Sequence, residues 1–474
     1  MERLQWFGIF TALFTVIFTV SFYYEYRNYG GCLRKNKLLK AIEKDLENLR
    51  RQNICQELSD NELKFHLSGI YYMQNQFPQA LLVLKMLLKT HLRGEAFSSM
   101  GLVNVKMGKY FRAQKFFKKA AALNDATGIC NLGIFAERNQ KFDEAFKLYR
   151  EAAKLGQVEA MRLLGIMYDQ RGEPHKATEW LHQAIDAGDN EAIFSLAFHY
   201  HNNKEIEKSI KWYRKAIELG NSHAMYNLGF LYDQEGDKQN AIKFYRQAAG
   251  RGIGVASNQI GAIYAEKQEF DEAITWFKKA LLSNTEAEHD NILLNIGMAY
   301  KDQQKFDEAV KYFKQAAEKN NPFAMYNLGL FYEHNESLNE AIKYYKMAAA
   351  NRHSEAMYNL GIIYQRKLNK VDEAAKWYKK AVDNGYKRAL SNLGIALEQK
   401  GLQELAIKIW EKGAALGIKE AMLNLYEVYK DNDDAEKAAK YFEMAQNVKA
   451  PDGEDIELHR EKLENIQNNE WGKE

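Results

Sequence analysis

Three cysteines and four prolines in 474 residues are the first constraints this chain imposes. Cys32, Cys55 and Cys130 are odd in number and far apart, which excludes a disulfide framework and any metal-ligand spacing. So few prolines beside abundant Ala, Leu, Lys, Glu and Tyr suit an all-helical chain, because a helix interior tolerates proline least of all residues. An excess of charge is missing as well. The formal net charge is +3, and residues 27 to 51 alone hold eight Lys/Arg against three Asp/Glu. The remainder is therefore about two charges negative, which argues against a nucleic-acid surface along it. Patterns that carry chemistry are also absent: there is no phosphate loop ending in Gly-Lys-Ser/Thr and no His-Glu-x-x-His. Gly250, Gly252 and Gly254 alternate as in a dinucleotide loop but close a helical pattern instead of following a strand. His199 and His201 stand two apart, which splits them across a helix and denies them a shared metal. The sequence reads as a non-enzyme with no cofactor and no metal.

What the chain has in quantity is repetition. Met225-Tyr226-Asn227-Leu228-Gly229 runs on to Tyr232, and the phrase returns from Met325 to Tyr332 and from Met357 to Tyr364. Looser copies place glycine at Gly69, Gly101, Gly133, Gly165, Gly229, Gly261, Gly297, Gly329, Gly361 and Gly394, with Ala197 and Tyr426 at two further beats. The interval is 32 residues throughout, except 36 between Gly261 and Gly297 and 33 between Gly361 and Gly394. A fixed period of this size means a solenoid of stacked helical units.

With the glycine as position zero, an Ala recurs at −5 and a Tyr at +3, which share a face of one helix, A. A second helix, B, carries Ala at +12, an aromatic at +16 and Ala at +19, again on one face. Small residues beside large rings let two helices approach while the ring fills the space alongside, and Leu-Gly-x-x-Tyr reads as the joint by which one helix pair docks on the next. The turns agree. Gly156, Gly188, Gly220, Gly252, Gly385 and Gly417 stand at −9, where helix B must stop, and Gly108, Gly172, Gly236 and Gly401 stand at +7, between A and B. In Phe142-Asp143-Glu144-Ala145, and again at Phe270 and Phe306, the Asp is placed to cap helix B and the Glu to meet its positive end.

Leu-Gly, Tyr at +3, Ala at +12, an aromatic at +16 and Ala at +19 resemble the tetratricopeptide repeat. The Ala-Met-Tyr-Asn-Leu-Gly opening, with Trp377 to Ala381 and Trp212 to Ala216 in helix B, is most similar to its Sel-one-like subfamily. Two traits of that subfamily are missing: a Gly-rich insertion between helices A and B, and the paired cysteines of its bacterial cysteine-rich members. The resemblance implies an all-α, right-handed solenoid of about twelve helix-turn-helix repeats over residues 62–450, serving as a scaffold for protein partners. It also implies a concave face made by helix A at −3, +1, +4 and +5. Here those are Tyr226, Phe230, Asp233 and Gln234; Tyr326, Leu330, Glu333 and His334; Tyr358, Ile362, Gln365 and Arg366. Such an apolar stripe with polar edges suits an extended or helical peptide, while the +1 residues equally suit plain packing between A helices. Asn at −2 either crosslinks neighbouring turns or reaches a ligand backbone. The four extra residues in Ser283 to Asn291 read as a tolerated insertion or a recognition loop. Residues 451–474 read as a polar cap or tail.

Leu4 to Tyr24 contains no charged residue, and 21 residues at roughly 1.5 Å each reach across a hydrocarbon core. Residues 1–26 are expected to be a transmembrane anchor, with a cleaved signal peptide as the alternative. Arg27, Arg34, Lys35, Lys37 and Lys40 just beyond it place the repeats in the cytoplasm. Gly8, Thr11, Thr15 and Thr19 share a stripe that either lets two spans pair as a homodimer or faces lipid, with each Thr hydroxyl bonded to its own helix's carbonyl four residues back. Residues 27–61 read as a basic juxtamembrane helix and linker whose cations meet anionic headgroups. The functional expectation is a membrane-anchored adaptor for a protein or peptide of unknown identity. The alternatives are a self-assembling organiser at the membrane and an exported repeat protein regulating an envelope or secretory pathway.

Overall fold

A computed structural model describes residues 31–51, 58–283 and 289–448, side chains of residues 31–37 aside. The expected membrane span, the interior of the insertion at 284–288 and the tail from 451 lie outside the described residues. Among the described residues there are twenty-five α-helices, no strands, and no helix long and apolar enough to cross a membrane. The chain is an all-helical repeat solenoid in which helices A and B alternate, and its internal contacts divide it into one unit ending at Leu231 and another beginning at Tyr232.

The first unit opens with the helix Gly31–Arg50, followed by A/B pairs from Asp60–Met73 and Phe77–Met86 to Asn190–Asn202 and Ile206–Glu218. The amphipathic edge of that leading helix is used against the first pair. Ile42 and Leu49 are buried with Leu63, Leu67 and Tyr71. The Tyr71 hydroxyl donates to Asp45 at 2.6 Å, and Arg50 pairs with Asp60. In the second unit the pairs run from Gly254–Glu266 and Phe270–Ser283 to Lys419–Asp431 and Ala435–Asn447.

The repeated glycine closes most repeats on themselves, although Gly69 has nothing within 4 Å and Gly165 meets Leu181 in place of a ring. A Cβ on Gly133 would stand 2.5 Å from Cε1 of Tyr149, and one on Gly261 2.5 Å from Cδ1 of Phe277. Gly329 faces Tyr345 and Gly394 faces Trp410 in the same way. Each ring is the +16 residue of the same repeat and is buried. The joint to the preceding repeat is made elsewhere, between −5 and +19: a Cβ on Gly128 would meet that of Ala120 at 2.5 Å, and one on Gly413 that of Ala421 at 2.7 Å. In the 197 beat, Ser209 stands where its neighbours have Ala, and its buried hydroxyl donates to the Ala197 carbonyl at 2.9 Å.

Both irregular intervals have a local account. The extra residue after Gly361 is taken up by a π turn, Ile363–Lys367, so that Tyr378 still reaches Gly361 from one position later. The longer interval falls between the helices Phe270–Ser283 and His289–Asp302.

Every turn glycine named from the sequence has positive φ, and the other repeats force an ordinary residue into the same conformation, among them Gln140 (φ 60°), Glu336 (φ 57°) and Arg352 (φ 63°). The capping expectation for helix B needs correction. That helix begins at Phe142 with Lys141 as its N-cap and no side-chain cap, so Asp143 lies inside the first turn. Asp143 instead pairs with Arg171 of the next repeat at 2.5 Å, as Asp372 does with Lys400 at 2.7 Å. The side-chain caps sit mainly on helix A, eight residues before the glycine. Asp125 accepts from the Gly128 N–H at 2.7 Å, Asn321 from Ala324 at 2.9 Å, and His353, through Nδ1, from Ala356 at 3.3 Å.

Three outcomes follow from this packing. Gly329→Ala lowers stability by about 1–3 kcal/mol in urea unfolding and Gly329→Leu by at least as much, because the new carbon strikes the buried Tyr345 ring. Gly250→Ala, at a helical site with nothing within 4 Å, does not lower it. Arg352→Gly raises stability by about 1 kcal/mol by relieving the left-handed backbone. Burial holds the His353 imidazole below the usual histidine range, opposed by Glu355, so its contribution is present above the unfolded value of about 6.5 and is lost as pH falls through the lower folded value. The melting temperature therefore falls from pH 7.5 to 5, and His353→Asn, which keeps a cap like Asn321, flattens that slope; His66, also lowered by burial, accounts for part of what remains.

Candidate functional site

Of the twelve helix A residues singled out from the sequence, four are exposed: Gln234, Leu330, His334 and Arg366. The other eight are half-buried, and most have work inside the fold. Tyr326, at −3, lies flat on the capping His353 of the next repeat, with ring centroids 4.6 Å apart and planes 20° apart. Tyr358 meets Tyr386 at 5.0 Å, a residue that stands eight before the next glycine but caps nothing, since that helix starts at Ala389. Burial raises both hydroxyls above the usual tyrosine range. Phe230 lies 6.1 Å from the His201 ring in the first unit.

The +4 residues are acceptors for the rings that close the repeats. Tyr345 donates to Glu333 at 2.6 Å, Tyr149 to Glu137 at 2.6 Å, and Tyr378 to Gln365 at 2.8 Å. Gln365 also donates to Gln399 of the next repeat at 3.0 Å. Asp233 pairs with Lys238 at 2.7 Å. A buried phenol needs an acceptor, and an acid or amide one turn past the glycine supplies it. The polar edge expected of a peptide groove is thus largely engaged by the protein itself.

Asparagine at −2 is a crosslink. Asn392 donates to the Tyr358 hydroxyl at 2.9 Å, Asn424 to Ser391 Oγ at 3.0 Å, and Asn295 to Asn258 at 3.1 Å, each across one repeat boundary. Asn131 and Asn327 instead bond the carbonyl four residues back in their own helix.

On the helix A face of the second unit, Phe323 (55% exposed) and Leu330 (38% exposed) form a short open apolar strip on one helix, apart from the exposed Leu282, Phe306, Leu402, Leu405 and Leu416 elsewhere in the unit. Half-buried Tyr326 lies along it, His334 stands at its end, and Ile362 and Arg366 occupy the matching positions of the next repeat. Sequence reasoning missed Phe323, and it missed the caps Asn321 and His353 with Tyr386 at the same offset. Asn321-Pro322 announces such a cap, since proline is preferred just inside a helix start.

In the first unit, buried His199 donates from Nδ1 to Asp169 Oδ1 (2.5 Å) and faces Thr178 Oγ1 at Nε2 (3.1 Å). The Thr178 hydroxyl already donates to the Pro174 carbonyl at 3.0 Å, so the ring clasps neighbouring repeats and activates no nucleophile. Cys130 is buried, which pushes its thiol up to about 12 and leaves it unreactive. Among the described residues, no three His, Cys, Asp or Glu side chains are grouped to hold a metal.

Comparison with known proteins gives the repeats a family. Tetratricopeptide repeat models match residues 130–192, 294–354 and 363–422, residues 253–319, and residues 191–220 and 222–251. The Sel1 repeat model matches residues 109–125 and 425–445. Among solved structures, the chain is similar to a protective antigen present in uropathogenic Escherichia coli strains displaying an SLR fold, at 20% identity and a TM-score of 0.46, covering 88% of this chain and 99% of that one. It is also similar to a Sel1 repeat protein from Oxalobacter formigenes, at 23% identity and a TM-score of 0.44, covering 60% and 90%. No curated protein matches the sequence. Proteins built from such repeats generally mediate protein–protein interaction, and their fold is typically non-catalytic. Repeat by repeat, the chain belongs to the tetratricopeptide repeat superfamily, Sel1 repeats included.

Proposed function

We propose that the protein is a non-enzymatic, membrane-anchored adaptor that holds a segment of a partner protein against helix A of the second unit. The observation that carries this reading is the pair Phe323 and Leu330, large apolar side chains left exposed on one face of a single helix A, where Phe230 and Ile362, the counterparts of Leu330, are half-buried. They lie seven residues apart on one face, the spacing by which an apolar segment docks two anchors, with His334 and Arg366 as polar margins. The anchor reading rests on the uncharged stretch from Leu4 to Tyr24 and the cations that follow it, which favour a cytoplasmic array.

Leu330→Asp with Arg366→Glu changes only exposed side chains. Capture of partners by the full chain then falls about tenfold while the melting temperature holds, as expected for an exposed anchor. An unchanged set of captured partners overturns the site. Tyr326→Ala with Tyr358→Ala, by contrast, lowers capture and melting temperature together, because both rings pack on the next repeat. For topology, Cys32 and Cys55 label from the cytoplasmic side of intact cells' membranes, whereas Cys130 labels only after unfolding; labelling of Cys32 and Cys55 from the outside overturns the cytoplasmic placement.

A further inference from the structure

We propose that the helix B face of the second unit is a second docking surface, one that takes an extended acidic polypeptide segment. Seventeen residues after each glycine, four consecutive repeats present Arg246, Lys278, Lys314 and Lys346, all exposed. Each is directed at the +3 tyrosine of the next repeat. Arg246 Nη2 donates to the Tyr264 hydroxyl at 2.8 Å and Lys278 Nζ to the Tyr300 hydroxyl at 3.3 Å. Lys314 and Lys346 lie 5.9 Å and 5.7 Å from the ring centroids of Tyr332 and Tyr364. One turn back in the same helices, Lys243, Lys311 and Lys343 are exposed as well.

A tyrosine orients a cation without neutralising it. Among the described residues, none of the four is ion-paired with a carboxylate, while nearby first-turn acids are engaged across repeats, Asp271 with Gln303 and Asp372 with Lys400. The result is a row of oriented positive charges, none held in a salt bridge although Lys346 feels the Glu373 carboxylate, whose rotamers are already restrained, which reduces the ordering cost of binding. Packed helices lie about 8–10 Å apart, and an extended chain advances about 3.3 Å per residue. One carboxylate in about every three residues therefore meets successive rungs, and about ten residues span all four.

The rings beside the row favour a peptide over a bilayer. Tyr300 stacks on Tyr312 at 5.5 Å and Tyr332 on Tyr344 at 5.4 Å, so these aromatics are half-buried against each other and are not presented for insertion into lipid. The row shares no residue with the helix A strip, and either surface stands without the other.

The test uses the full chain and a fluorescein-labelled peptide of four Glu-Ser-Ser triplets, followed by anisotropy. The peptide binds, and its affinity falls about tenfold or more in the combined variant Arg246→Glu, Lys278→Glu, Lys314→Glu and Lys346→Glu, and likewise when salt is raised. The same four positions changed to Gln give an intermediate loss with unchanged helicity, which separates binding from folding. Leu330→Asp with Arg366→Glu leaves peptide binding as it was. Equal affinity in the wild type and the fourfold Glu variant overturns the proposal, and so does tighter binding of phosphatidylserine vesicles or duplex DNA than of the peptide.

Discussion

A ring lying against bare backbone holds most of the repeats shut. Phe117, Tyr149, Phe277, Phe313, Tyr345 and Trp410 each occupy the space a Cβ would take at the facing glycine, and all are buried. Because the ring is large and the opposing residue has no side chain, helices A and B cross closely enough for Ala at +12 to be buried too. Rows of small residues at −5 and +19 then set each pair against the one before. The two contacts are separate, so a closed repeat is a rigid piece that stacks through a different surface. Every other feature of the chain is placed relative to that piece.

Closing a phenol into a core obliges the protein to satisfy its hydroxyl, and this is where the helix A face loses much of its freedom. Glu137, Glu333 and Gln365 point inward to accept from Tyr149, Tyr345 and Tyr378. Where the ring is Phe or Trp, the hydroxyl and its demand disappear; Trp410 donates to the Ser391 carbonyl at 3.0 Å instead. Polar residues that resemble the margin of a binding groove are thus partly the support of the core, and what remains exposed around the proposed strip is the narrower set Phe323, Leu330, His334 and Arg366.

Charge is sorted by helix and by turn. Acids in the first turn of helix B favour its positive end and also reach the next repeat, as Asp143 reaches Arg171. Cations gather later in the same helix, where the tyrosines of the following repeat orient them. A near-neutral total therefore conceals a positive row, since the sum of charges says nothing about which face carries which sign.

Period, helix pairing, buried residues and left-handed turns were all legible in the sequence, because they depend on spacing along one chain: three and four residues for a helical face, a glycine where φ must be positive. Even the irregular beat after Gly361 announced itself as one residue too many, although only the structure shows the π turn that absorbs it. The glycine-to-ring contact is different. Spacing revealed two small-and-aromatic faces, and read alone it suggested that Leu-Gly-x-x-Tyr joins one pair to the next; in the structure the glycine-to-ring contact lies inside the repeat, the small residues at −5 and +19 make the close join, and the Tyr of that phrase reaches the preceding repeat. The role of Asp143, the acceptors for buried hydroxyls, the stacking of Tyr326 on His353 and the orientation of Arg246 towards Tyr264 likewise came only from tertiary structure. These are contacts between helices a full period or half a period apart, and a linear pattern records which residues share a face but not which residue of the neighbouring helix each one meets.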